Sequence, residues 1–101
     1  MSGWMPIAPW KIQPGTVQAV PYTGTSAETT AVGSQTRAVL LYATSTCHIR
    51  YGQGAQAAVA ATDFPLPGGA SPLILGCSPG DRFAAVQDTA GGTLWLVELT
   101  H

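Results

Sequence analysis

A chain of 101 residues with a formal net charge of −1 is sized for one domain, and at 46% hydrophobic residues it holds enough apolar material for a core. Only 9% of its residues are charged, and the four cations, Lys11, Arg37, Arg50 and Arg82, are scattered, which excludes the clustered Lys/Arg of a nucleic-acid binder and the polybasic patch of a membrane-surface protein. No run reaches the ~18 apolar residues of a membrane span, and the start, Met1-Ser2-Gly3-Trp4-Met5-Pro6, lacks a leader's cationic and apolar regions, so the expectation is a soluble, unsecreted chain too sparsely charged to work as a lone monomer.

Residues 1–15, MSGWMPIAPWKIQPG, show neither a helical nor a strand period. Pro6, Pro9 and Pro14 fix φ and remove donors, so the stretch reads as an extended arm. An arm cannot bury Trp4, Met5, Ile7, Trp10 and Ile12 by itself. These residues are expected at an interface, with the arm's own domain or with a neighbour.

From Thr16 onward the punctuation is that of short strands. Residues 16–20 alternate, and 24–35, rich in Thr, Ser and Gly, read as a long loop or a weak edge strand. Residues 36–43 carry apolar side chains on both faces, so both want cover. After a turn at Thr44-Ser45, residues 46–51 alternate, with Cys47, Ile49 and Tyr51 on a core side and Thr46, His48 and Arg50 on a wet side. The alanine-rich stretch after Gly52-Gln53-Gly54 reads as a surface loop that runs to Gly69. Residues 72–77 form the next strand, and Ser78-Pro79-Gly80-Asp81 has the Pro and Gly of a type II turn, here taken as a hairpin to 82–87. Residues 88–92 suit a five-residue hairpin loop into 93–99. In that last strand Trp95, Val97 and Leu99 are assigned to the core, and Leu94 and Leu96, opposite, to a subunit interface. The whole reads as all-β: a single antiparallel β-sandwich or jelly-roll-like barrel over 16–101, with the extended arm 1–15 before it.

Chemistry is sparse along this framework. Cys47 and His48 are adjacent, but neighbours in a strand point to opposite faces and cannot form a thiol–imidazole dyad. Gly52-Gln53-Gly54-Ala55-Gln56-Ala57 matches a dinucleotide-binding pattern without the βαβ unit that pattern needs. The five acids, Glu28, Asp63, Asp81, Asp88 and Glu98, are spread one per segment, and no metal-ligand spacing occurs. Cys47 and Cys77 read as small buried hydrophobes, a single bridge between them being the alternative. No enzyme is expected, and no catalytic, cofactor-binding or metal-ligating residue is assigned.

The run 36–52, TRAVLLYATSTCHIRYG, with Phe64-Pro65-Leu66-Pro67-Gly68, Ser78-Pro79-Gly80-Asp81-Arg82 and the closing 92–99, GTLWLVEL, resembles small virion proteins encoded among the head genes of tailed bacteriophages. The resemblance spans about residues 16–100 and leaves the arm outside. It implies a β-sandwich that decorates or cements a capsid or supports its appendages, partnered by the major capsid protein or other virion proteins and assembled in the bacterial host cytoplasm. Apolar residues on both faces of the strands add homo-oligomerisation, with a trimer suited to the threefold points of a shell and a dimer as the alternative. A head-fibre base or neck component, or a non-viral carbohydrate-binding module using Trp95, Tyr42 or Tyr51, are the other readings.

Overall fold

Alternating β-branched and aromatic residues, cut every few positions by Gly, Pro and Ser/Thr pairs, give this chain strands and no helix among the described residues. The computed structural model describes residues 11–100. Nine strands follow in order: β1 (Lys11–Ile12), β2 (Gln18–Tyr22), β3 (Ala27–Glu28), β4 (Ala38–Ala43), β5 (Cys47–Gln53), β6 (Phe64–Leu66), β7 (Leu73–Gly76), β8 (Asp81–Gln87) and β9 (Gly92–Thr100). They form two antiparallel sheets. Sheet A has the order β1-β9-β4-β7, with β2 beside β9 on the same side as β1, and sheet B has the order β3-β8-β5-β6. β1 falls within the stretch expected to be arm, so the arm's last residues belong to the sandwich.

The pairings are nested, β5 with β6, β4 with β7, β3 with β8 and β2 with β9. A chain nested in this way is one long hairpin that reverses between β5 and β6. Rolling it up sets β4 beside β9 and β5 beside β8, and two sheets closed in that order make a jelly roll. Consecutive strands therefore change sheet at nearly every link. The turn at Ser78-Pro79-Gly80-Asp81 forms as its residues demand, with Gly80 at φ 87° and the Asp81 N–H donating to the Ser78 carbonyl at 3.1 Å. It is nevertheless an arch and not a hairpin, because β7 lies in sheet A and β8 in sheet B. The same correction applies to 88–92, which carries the chain from β8 across to β9. Leu75 and Phe83 must meet the core from opposite layers, and that requirement overrides the local reversal.

Between the sheets, Val20, Tyr22, Val39, Leu41, Ala43, Leu94 and Leu96 of sheet A face Cys47, Ile49, Leu66, Phe83 and Ala85 of sheet B. Leu94 and Leu96 are 0% exposed, so their expected place at a subunit interface is corrected: they are core, and Trp95 points outward. Tyr22 is also buried, and its hydroxyl donates to the Ser45 carbonyl at 2.5 Å, pinning the turn between β4 and β5. The segment 64–66, expected as loop, is a strand because Pro65 sits on an edge, where a missing N–H costs no ladder bond. The alanine-rich loop lies over the outside of sheet B, with Ala58 buried beside Ala84 and Val86 and the Gln56 and Ala58 N–H groups bonded to Glu28 and Ser26.

Cys47 and Cys77 are free thiols. Burial pushes the Cys47 thiol up, and burial next to Asp81 and Glu98 pushes Cys77 up to about 11, so both are protonated and poor nucleophiles at neutral pH. Replacing both by Ala is expected to cost ~1–3 kcal/mol of packing, measured by urea unfolding. A drop to an unfolded chain, as on losing a bridge in so small a domain, would contradict it.

Candidate functional site

Strand parity gives the sandwich two unlike outer faces. On sheet B, His48, Arg50, Arg82 and Glu28 point outward, with Asp63 bonded above them. On sheet A the register aligns Ile12 with Leu99 and Ala38, Val97 with Leu40 and Ile74, and Ala19 with Trp95 and Tyr42. No charged side chain occurs in that set. Ala38, Val97 and Leu99 form a second small buried cluster with Leu40. The rest of the face is open: Trp95 is 44% exposed and Ile74 47%, and Val17 and Ile12 more than half.

A shallow groove of about 160 Å³ runs along this open part, lined by Val17, Leu40, Tyr42, Trp95, Leu96 and Val97. The Tyr42 hydroxyl and the Trp95 indole N–H are the polar side-chain groups of that lining. An aromatic ledge with aliphatic walls favours burial against another apolar surface, since each large side chain taken out of water is worth ~1.5–3 kcal/mol. It offers no acid, base or nucleophile. Of the residues expected at an interface, Ile12 lies on this face, Leu94 and Leu96 lie beneath it in the core, and Trp4, Met5, Ile7 and Trp10 fall outside the described residues. Val17, Leu40, Tyr42, Ile74 and Trp95 are not among the residues expected at an interface; the available signal is the two-sided apolar pattern of β4 and β9, and for β9 the expectation puts the wrong face inward.

The densest set of titratable groups is on the opposite side. His48 Nδ1 lies 3.1 Å from the Asp63 carbonyl oxygen and its Nε2 lies 2.8 Å from Asp88 Oδ1, so both ring nitrogens face acceptors. A neutral imidazole has a single N–H, so only the imidazolium satisfies both acceptors. The Asp88 hydrogen bond, then the one to the Asp63 carbonyl, accordingly holds the His48 pKa above its ordinary value. The Asp63 carboxyl is held low, first by the Val59 N–H and then by the Arg50 guanidinium. Cys47, next in sequence, is turned into the core, so no thiol joins this cluster. Among the described residues no group of three or more His, Cys, Asp and Glu is placed to hold a metal.

A His pKa raised on folding adds stability that is fully present below the unfolded value near 6.5 and is lost as pH rises through the folded value. The melting temperature is therefore expected to fall by a small step across that window. Asp88→Asn should flatten the step, and an unchanged step in that variant would assign it to another group.

Fold and surface together define the class: a jelly-roll β-sandwich with one charged outer face and one uncharged, apolar outer face. Compared with protein-family models, with curated proteins and with solved structures, the chain has no match.

Proposed function

We propose that this chain is a structural virion protein of a tailed bacteriophage, of the decoration or cement type, which seats the outer face of sheet A against the shell or against sister subunits. The observation that carries the reading is the uncharged face around Trp95, set on a domain whose opposite face holds His48, Arg50 and Arg82. A jelly roll by itself hosts capsid proteins, lectins and small-molecule enzymes alike, so the face carries the argument and the fold does not. Nine per cent charged residues suit a chain that buries one side permanently, and the resemblance of residues 16–100 to phage head proteins points the same way. In this reading the protein performs no catalysis, takes no cofactor and binds neither nucleic acid nor membrane. Residues 1–15 contribute Trp4, Met5, Ile7, Trp10 and Ile12 to the contact with the shell or a sister subunit. A head-fibre base or neck protein would use the same face at fewer positions on the particle.

The paired Trp95 and Tyr42 are also what a carbohydrate-binding module would present. Sugar recognition, however, needs several hydrogen-bonding groups around the aromatic platform, and the side chains of the groove lining supply two, the Tyr42 hydroxyl and the Trp95 indole N–H, with no carboxylate or amide beside them. Quantitative mass spectrometry of gradient-purified particles tests the proposal. A copy number in proportion to the capsid lattice is expected; absence from particles, with glycan binding by the monomer, would replace it by the carbohydrate reading.

A further inference from the structure

We propose that the outer edge of β7, which no strand covers among the described residues, is where a second copy of this chain adds its own β7, antiparallel, in the register that sets Ile74 opposite the partner's Ile74. This pairing goes beyond the virion reading and stands without it. Of the edge strands, β1 carries Lys11, β2 Pro21 and β6 Pro65, and β3 is two residues long with Glu28 as one of them. Lysine, proline, charge and brevity are the usual guards against strand addition. β7, Leu73-Ile74-Leu75-Gly76, carries no lysine, proline or charge, and Pro72 stands just before it.

The backbone pattern selects both partner and register. The Cys77 N–H donates to the Arg37 carbonyl, so residues 77, 75 and 73 turn their peptide groups toward β4, and 76 and 74 turn theirs to the open side. With Ile74 opposite the partner's Ile74, the two exchange both of their backbone bonds. The Gly76 N–H then meets the carbonyl of the partner's Pro72. The return bond would need an N–H on that proline, which has none, and the Gly76 carbonyl is already taken within its own chain by the Tyr51 hydroxyl at 3.0 Å. A twofold pair in this register leaves no donor or acceptor of the two edges unmatched. A register displaced by two residues breaks that match.

The side chains agree. Ile74, 47% exposed, comes to lie beside the partner's Ile74 on the uncharged face of sheet A. On the inner side Leu75 meets the partner's Leu73 at the mouth of an apolar cleft of about 270 Å³ lined by Ile49, Tyr51, Phe64 and Leu75. The two copies of sheet A thus become one continuous sheet, and its uncharged face doubles in width. The symmetry is twofold and closed, which fits a dimer and not the trimer expected from the symmetry of a shell.

Sedimentation of the full chain at micromolar concentration, together with amide hydrogen exchange, tests the pairing. The expected result is a mass of two chains, with the Ile74 and Gly76 amides protected in a concentration-dependent way, and a mass of one chain with unchanged circular dichroism for Ile74→Lys. A monomer at high concentration, or a dimer in which the Ile74 and Gly76 amides exchange freely, overturns it. Should Ile74→Lys fail to fold, amide protection in the unmodified chain still decides. A dimer that survives Ile74→Lys but is lost in Trp95→Asp would move the contact from the edge to the face of the sheet.

Discussion

Leu96→Lys is expected to abolish folding, not merely assembly. Leu96 is fully buried among Leu41, Leu94 and the residues of sheet B that meet them, and no acid of that core stands ready to pair with an ammonium. Truncation to Ala at such a site costs ~2–5 kcal/mol, and an unpaired buried charge costs more, out of the ~5–15 kcal/mol that holds a domain of this size together. Far-UV circular dichroism and limited proteolysis should report an unfolded chain. A folded monomer would mean that Leu96 faces outward and that Trp95, Val97 and Leu99 make the core.

A second large effect is expected at Gly68→Ala, although no buried side chain is removed. Gly68 lies against the main chain of Ser45 and Thr46, and its N–H donates to Thr46 Oγ1 at 3.1 Å. A methyl group there would overlap the Ser45 carbonyl carbon and Cα, and both neighbours are backbone that cannot swing aside as a flexible side chain would. The turn that would have to move is the one the Tyr22 hydroxyl pins, so the clash is passed into the core. Overpacking of this kind costs ~1–3 kcal/mol, and rigid backbone on both sides places Gly68→Ala at the upper end. Urea unfolding measures it against Gly54→Ala. Gly54 has open space about it, and its cost arises from its positive φ alone. Equal losses at the two sites would show that the 44–46 turn yields without strain.

The strands were largely legible because alternation and turn residues are local properties, and β4, β5, β8 and β9 fall close to where their patterns place them. Two things were not legible, each for a definite reason. Turn chemistry at 78–81 specifies a reversal, but the sheet that each flanking strand joins is decided by pairings with distant strands, β7 with β4 and β8 with β5, that no window of sequence contains. In β9 both faces are apolar, and Glu98, on the side of Leu94 and Leu96, marks that side as wet. Glu98 is instead buried, its carboxylate accepting from the Gly33 N–H at 2.9 Å and from the Thr36 hydroxyl. A buried acid with its own donors thus shares the core face, and a Trp alternating with Val97 and Leu99 lies outside it, which the pattern of the strand alone does not reveal. β1 and β6 escaped notice because strands of two and three residues are set by their partners and not by their own pattern.

Incorporation of Trp95→Asp into purified particles, in competition with the unmodified chain, tests the assembly role of the sheet A face most directly. Trp95 is 44% exposed, so the variant should fold, and Arg82→Ala on the opposite face serves as the control. The expected result is that Trp95→Asp is excluded from particles while Arg82→Ala enters like the unmodified chain. Equal entry of Trp95→Asp would contradict a docking role for this face.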